Sequence, residues 1–478
     1  MLFNSFSFLW FYPFALLLYW TAARTQRVQN VVLLALSYVF YAWWDVRFLL
    51  LIVLVTAVGY ASALAIGRPN ASERVRTAAC WSGVGACLLM LGVFKYFDFF
   101  AAQLNALLHA LHLAPSLPLL HLLLPVGISF YTFQVVGYVV DVRRGKVPPC
   151  RDAVAFATFV SFFPQLVAVP IERASDLLPQ MQRRRSVRYA DLADAFRLML
   201  WGFVKKMLLA DRCAPLVSAA FANPDATSAD LWAAAVLFAF QIYGDFSGYS
   251  DIAIGVARTF GIRLSQNFRL PYFSRSVPEF WRRWHITLMT WFKDYVYIPL
   301  GGSRCSRLKR LRNVTLVFLI SGLWHGANWT FVVWGLFQLI GFFPPTLRGG
   351  KSQHDDDALN VRRLPSVRQL LQMAVTFVFV CTGWVFFRSA DMASALHRIA
   401  VMYTTNPLHK PFCGLGAFLP VVFVVMVEWL MRTHRHALDI RGTGLLRYRA
   451  VRWAVYYALI FATILWGGQQ SAFIYFQF

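Results

Sequence analysis

The chain is short of charge, and shorter still of negative charge. Only 14% of its 478 residues are Asp, Glu, Lys or Arg, and 22 acidic side chains stand against 46 basic ones. A soluble globular domain carries about a quarter charged residues, so an ordinary water-soluble fold is excluded. Paired cysteines are also lacking. The seven cysteines (Cys80, Cys87, Cys150, Cys213, Cys305, Cys381 and Cys413) are scattered, with no CxxC pair and no His/Cys spacing that suits a metal. They are expected as small apolar fillers inside helices. Internal repeats are not evident, which weighs against an inverted-repeat transporter. The first apolar segment has neither the charged start nor the small-residue cleavage site of a signal peptide, so it is read as a retained helix.

What the chain has in abundance is apolar surface: 58% hydrophobic residues, 17% aromatic. Apolar runs of membrane-spanning length recur at 6–22, 31–44, 48–66, 78–94, 370–387, 415–430 and 453–466. The expectation is an all-α polytopic membrane protein with roughly 10 to 12 membrane helices, some short or re-entrant, around a central cavity. A single integral membrane domain is expected over 1–478, interrupted by a hydrophilic loop at 348–365 that carries Lys351-Ser-Gln-His-Asp-Asp-Asp357. The net charge of +24 invites a nucleic-acid reading, which its distribution rejects. Basic residues cluster between apolar runs, at Arg24 with Arg27, Arg68 to Arg76, Arg143 to Lys146, Arg183 to Arg188, Arg304 to Arg312, Arg362 with Arg363, and Arg432 to Arg452. Cytoplasmic loops of membrane proteins have this pattern; a nucleic-acid footprint would gather on one soluble domain.

Chemistry is sought between about Leu122 and Phe343, where Gly, Pro, Tyr and polar residues interrupt the apolar pattern. Such segments persist at membrane depth only when protein buries them or they line a wet cavity. The sharpest is Ser321-Gly-Leu-Trp-His325-Gly-Ala-Asn328-Trp329, followed by the apolar 330–343. It places His325 at the opening of a membrane helix, with Asn328 one turn on and on the same face. An ionisable residue at that depth is a functional hypothesis by default, and imidazole suits a general base. The residue type alone is equally compatible with a buried histidine bonded to backbone.

A second segment, Glu279-Phe-Trp-Arg282-Arg283-Trp284-His285-Ile-Thr287, continues through Trp291-Phe-Lys293-Asp294 to Gly302-Ser303. Its alternation of aromatic and basic residues suits an interfacial helix, with or without a phosphate-bearing ligand such as coenzyme A or phosphopantetheine. Arg282, Arg283 and Lys293 are the candidate donor-binding residues. A third, Gln241-Ile-Tyr243-Gly-Asp245-Phe-Ser247-Gly-Tyr249-Ser250-Asp251, sets two carboxylates among hydroxyls and glycines. Asp245 and Asp251 are expected to pair with the basic residues of the second segment; carboxylates six apart are weak support for a metal site. Pro125-Val-Gly127-Ile-Ser129-Phe-Tyr131-Thr132-Phe-Gln134, with Asp141 closing its helix, and Phe162-Phe-Pro164-Gln165 read as kinked, polar walls of the cavity.

Taken in order, PVGISFYTFQ, FFPQLVA, DFSGYSDIAIG, EFWRRWHITLMTWFKDYVYIPLGGSR and SGLWHGANWTF strongly resemble the membrane-bound O-acyltransferase family, and within it the bacterial alginate O-acetyltransferase group. That group also acts on other exopolysaccharides and on peptidoglycan. The resemblance runs from the first helix, including Ser37-Tyr38-Val39-Phe40-Tyr41-Ala42-Trp43-Trp44, to the last residues. It implies that His325 is the family's catalytic histidine, that His285 is its second recurrent histidine, and that Asn328 is the Asn following the first. Asp245, Ser247, Tyr249, Asp251 and Glu279 become a polar network of the cavity. The chain departs from the pattern at Val169, where relatives have Gly before Pro170, and at Thr287, where Ser is common.

The resemblance further implies an enzyme that carries an acyl group, acetyl first among candidates, from a cytoplasmic thioester to an extracytoplasmic polysaccharide such as alginate. The thioester is acetyl-CoA or an acylated carrier, and no bound cofactor or metal is expected. The bacterial inner membrane is the expected location. An extracytoplasmic, SGNH or esterase-like partner is expected to complete the transfer, since this chain has no soluble esterase-like region. Peptidoglycan and cellulose-like polymers remain alternatives, as does a non-catalytic acyl or glycan transporter. The segment 467–478, Gly467-Gly-Gln-Gln-Ser471-Ala-Phe473-Ile-Tyr475-Phe-Gln-Phe478, follows a basic loop that the positive-inside rule places in the cytoplasm, so it is expected outside. By resemblance, Tyr475 is a candidate acyl relay that threads back toward His325; an aromatic belt at the headgroups is the plainer reading. In the expected chemistry His325 takes a proton from the acceptor hydroxyl, and Asn328 or a nearby donor stabilises the oxyanion, an effect of about 2.7 to 4 kcal/mol per donor.

Overall fold

A computed structural model describes all residues except 23, 114–116, 167–169, 349–363, 441–443 and 475–478. Tyr475, Val169 and most of the hydrophilic loop at 348–365 therefore lie outside the described residues. Among those described, every regular element is helical. They divide into two compact units, one of Met1–Arg188 with Ala257–Ser265 and one of Tyr189–Val256 with Gln266–Phe478.

The first unit holds α1 (Phe6–Ala22), α2 (Gln26–Ala42), α3 (Phe48–Ile66), α4 (Glu73–Ala110), α5 (Ile128–Arg143), α6 (Ala153–Ser161) and α7 (Ala174–Met181). Helix starts are written locally: the hydroxyls of Thr25 and Ser72 and the carboxylate of Asp152 accept backbone N–H bonds from the first turns of α2, α4 and α6. Pro125, Gly127, Phe162 and Pro164 lie where α5 begins and α6 ends. Asp141 is buried near the end of α5 and faces the Lys146 ammonium at 4.0 Å.

The second unit continues with α8 (Tyr189–Phe203), α9 (Asp211–Ala222), α10 (Ser228–Thr259), α11 (Val277–Arg283), α12 (Ile286–Phe292), α13 (Arg307–His325), α14 (Trp329–Arg348), α15 (Val367–Arg388), α16 (Met392–Thr404), α17 (Leu419–Leu430) and α18 (Arg449–Trp466). Two π-helical segments interrupt it, Val204–Ala210 between α8 and α9 and Lys293–Tyr297 after α12. π turns are rare and concentrate at functional sites. The first one is packed against α10 at glycines: a Cβ on Gly248 would stand 2.7 Å from the Gly202 carbonyl oxygen and 3.0 Å from the Lys206 nitrogen, and one on Gly244 would stand 2.8 Å from the Lys205 carbonyl oxygen. The Gly244-x-x-x-Gly248 spacing thus serves backbone approach, as small residues do between membrane helices.

Three helices, α3, α4 and α15, are long and apolar enough to cross a membrane, and four shorter apolar helices cover Phe6–Ala22, Ala153–Gln165, Trp329–Pro344 and Leu415–Leu430. Their outer faces are unusually apolar: Phe6, Trp10, Val375 and Leu419 are each at least 60% exposed. Water penalises such surface and lipid does not.

Candidate active site

The loop from α11 to α12 turns on His285 itself. Ser276 caps α11 by accepting from the Glu279 N–H, and Glu279 then binds the guanidinium of Arg283 at 2.6 Å and the backbone N–H of Arg275 at 2.9 Å. Glu279 and Arg283 are both buried. Next, His285 adopts a left-handed conformation, φ 46° and ψ 52°, costing of order 1–3 kcal/mol for a residue with a Cβ. The turn is held from outside. Asn267 accepts the Ile286 N–H on its carbonyl at 2.9 Å. Its side-chain Oδ1 accepts the Thr287 N–H at 3.2 Å and the Thr287 hydroxyl at 3.0 Å, and lies 3.1 Å from His285 Nδ1. An atom that accepts a backbone N–H is the oxygen of the amide, so the proton between it and His285 resides on Nδ1. In the neutral ring the lone pair is then on Nε2.

His325 is the last residue of α13, not the first of a new helix. Gly326 is extended, φ −166° and ψ 153°, and α14 begins at Trp329. Asn328 consequently belongs to the turn into α14 and does not share a helix face with His325. Its amide donates to the Ala390 carbonyl at 2.8 Å and its Oδ1 accepts the Thr330 N–H at 3.0 Å. The His325 ring is buried among aromatic rings, with centroids at 5.0 Å for Trp324, 5.0 Å for Trp334 and 5.3 Å for Phe387. The His285 ring also packs against Trp324, with centroids at 5.9 Å. One indole therefore touches both imidazoles, and the Trp334 indole N–H beside His325 is buried with no hydrogen-bond partner among the described residues.

Asp245 and Asp251 do not pair with Arg282, Arg283 or Lys293. Their cations come from the π segment. Lys206 Nζ lies 2.6 Å from Asp245 and 2.8 Å from Asp211, and Lys205 Nζ lies 2.8 Å from Asp251. Tyr243 donates its hydroxyl to Glu428 at 2.8 Å, and Ser247 bonds back to the Tyr243 carbonyl at 2.6 Å. Tyr249 is buried and packs its ring 5.0 Å from Phe473. Phe246 links this network to His285, with ring centroids 4.7 Å from His285 and 5.9 Å from Phe473. The segment after α18 thus runs into the same core as far as Ile474, whose N–H donates to Asp245 at 2.7 Å.

The model of the membrane-bound O-acyltransferase family matches residues 151–347, a stretch that includes both histidines and the Asp245 network. The protein described as alginate O-acetylase AlgI of Azotobacter vinelandii is 41% identical over 403 residues, covering 84% of this chain and 77% of its own. The chain belongs to the membrane-bound O-acyltransferase family. It is accordingly a membrane O-acyltransferase. The AlgI protein of Pseudomonas aeruginosa is 42% identical over 403 residues, covering 84% of this chain and 74% of its own. The peptidoglycan O-acetyltransferase of Helicobacter pylori is 31% identical over 510 residues, covering 95% and 93%.

Seen as an acyltransferase core, the sequence-predicted residues converge only in part, Asp251 pairing with Lys205 and Asn328 with the Ala390 carbonyl. His325, His285, Asp245, Ser247 and Tyr249 come together through Trp324, Phe246 and Phe473. Glu279 and Arg283 are spent on each other at the His285 turn, while Arg282 and Lys293 are exposed. Lys205, Lys206, Asp211, Asn267 and Trp334 escaped the sequence reading. Lys205-Lys206 stood in an apolar run, where a charge pair at membrane depth was a usable signal; Asn267 and Trp334 had none. Among the described residues no group of three His, Cys, Asp or Glu side chains is placed to hold a metal ion.

Proposed function

We propose that this acyltransferase takes an acetyl group from a cytoplasmic thioester and delivers it outward for O-acetylation of an exopolysaccharide such as alginate. The observation that carries the reading is the pair of buried imidazoles about Trp324, His285 with its Nδ1–H fixed and His325 closing α13. The polymer follows the names of the relatives that match at about the 40% level, AlgI of Azotobacter vinelandii and of Pseudomonas aeruginosa. The chain then sits in the inner membrane as a multi-pass protein, with acetyl-CoA or an acylated carrier as donor.

The transfer needs one proton moved at each end. His325 takes the proton of the attacking hydroxyl as its oxygen adds to the thioester carbonyl. The tetrahedral oxyanion collapses, the C–S bond breaks, and the imidazolium returns the proton to the departing thiolate, so an ester and a thiol replace a hydroxyl and a thioester. The Trp334 indole N–H is the donor we assign to the oxyanion, because it is buried on the ring that packs against His325 and has no partner among the described residues. His285, packed on the same indole, holds the site's second lone pair on Nε2. Tyr475, one residue beyond the buried Ile474, is the attacking hydroxyl. An extracytoplasmic SGNH or esterase-like partner then moves the acetyl group from the tyrosine to a sugar hydroxyl. Arg282 and Lys293, exposed on the same segment as His285, receive the anionic groups of the donor.

Intact-mass measurement of the purified chain with acetyl-labelled acetyl-CoA tests this. An acetyl adduct is expected in wild type and absent in both His325→Ala and Tyr475→Phe. An adduct kept in His325→Ala removes the base from the scheme; one kept in Tyr475→Phe moves the carrier elsewhere. A second reading, peptidoglycan as acceptor, is favoured by the Helicobacter pylori relative, which matches nearly end to end. Acetyl content of purified alginate against that of purified murein in a deletion strain separates the two.

A further inference from the structure

We propose that Lys206, Asp211 and Asp245 form a receptor for the chain's own segment 467–474, and that these three are positioning residues which present Tyr475 to the histidine pair, the latter half resting on the relay read above. Lys206 is one cation between two carboxylates, and all three side chains are at most 3% exposed. Two buried carboxylates offer four oxygens and one ammonium carries three N–H donors, so the group has acceptor capacity for further donors.

The segment supplies them. The Ser471 hydroxyl donates to Asp211, and the Ile474 N–H donates to the second Asp245 oxygen at 2.7 Å. The Ser471 carbonyl accepts from Lys206 Nζ at 3.2 Å. The ammonium thereby has four acceptors in reach, the Asp245 and Asp211 carboxylates, the Ser471 carbonyl and, at 3.4 Å, the Ser471 hydroxyl oxygen. On the way in, the Gly468 N–H donates to the carbonyl of Met207, a member of the π segment, at 2.9 Å, and Arg212 donates to the Trp466 carbonyl at 3.0 Å. Only glycine fits at 468, because a Cβ there would meet the Asp211 backbone. On the way out, Phe473 is buried against Phe246 and Tyr249, and Phe246 touches His285. The seat therefore ends one residue before Tyr475 and one aromatic ring from a histidine. The π turn puts Lys205 and Lys206 to separate uses, Asp251 for one and the seat for the other.

Hydrogen exchange followed by mass spectrometry on the full-length chain in detergent reads the seat directly. The backbone amides of 468–474 are expected to be protected in wild type and equally in Tyr475→Phe, which has lost the relay hydroxyl but not the seat. In Lys206→Met they should exchange at least tenfold faster while α13 and α14 keep their protection. Ser471→Ala removes one tail-side donor without altering the core, and covers the case in which Lys206→Met does not fold. It should show the same acceleration to a smaller extent, and Ser471→Thr should restore protection. With acetyl-CoA as donor, Ser471→Ala should lower kcat for tail acetylation with KM unchanged. An unprotected tail in wild type, or Ser471→Ala protection equal to wild type, overturns the receptor. Failure of the relay alone appears instead as a Tyr475→Phe chain that is protected and still carries an acetyl adduct.

Discussion

A buried imidazole is useful as a base only if its protons are assigned, and in this core a single amide oxygen does the assigning. Asn267 Oδ1 collects three donors, from His285 Nδ1 and from the N–H and hydroxyl of Thr287. Asn267→Leu strands those donors and should lower thermal stability by about 1–3 kcal/mol, with a loss of acyl transfer that Asn267→Asp, which still accepts, largely avoids. Melting curves and tail-acetylation rates on the two variants check this. At His325 the expected loss in His325→Ala is about 100-fold or more, the range of general acid–base catalysis, with expression retained. Trp334→Phe keeps the ring against His325 and removes only the N–H. If that N–H meets the oxyanion, kcat should drop by about 100-fold with KM for acetyl-CoA unchanged; an unaltered kcat removes Trp334 from the scheme.

At the level of elements, the interruptions matter more than the helices. The turn at His285, the extended Gly326 and the π segment Val204–Ala210 are all departures from regular helix. Each brings a side chain or a carbonyl into the core that an unbroken helix would point elsewhere. The π segment depends on the close approach of α10 through Gly244 and Gly248. Gly248→Ala pushes a methyl against the Gly202 carbonyl and the Lys206 nitrogen, so a destabilisation of about 1–3 kcal/mol is expected from overpacking. A thermal melt of the detergent-solubilised chain measures it, and a melting temperature equal to wild type would show that the crossing relaxes at no cost.

For the whole molecule, orientation follows from charge. Arg432 to Arg452 run from the end of α17 into the first turn of α18, and Arg304 to Arg312 run into the start of α13. Lys/Arg-rich loops stay in the cytoplasm. Cys413 precedes α17 and Cys305 precedes α13, and both are partly exposed. In intact spheroplasts a membrane-impermeant maleimide should label Cys413 and spare Cys305 until the membrane is opened. The reverse pattern would invert the topology and place the donor site on the wrong side.

The solvent, the helical class and the family were legible in the amino-acid order, because apolar composition and short motifs are local properties. His325 could be named from Trp324-His325-Gly326, and His285 from Arg283-Trp284-His285. Their surroundings could not. Asp245 and Asp251 were expected to find Arg282, Arg283 or Lys293 and found Lys206 and Lys205 instead, because a buried carboxylate takes whichever cation the packing brings within reach, and a π turn sets that reach. Asn328 looked one turn from His325 until Gly326 ended the helix between them. The sequence by itself determined which chemistry is present. Only the tertiary structure decided that Trp324 packs on both imidazoles and that a segment more than 200 residues past Asp245 donates to its carboxylate. Contacts across such distances depend on how helices cross, which no local pattern encodes.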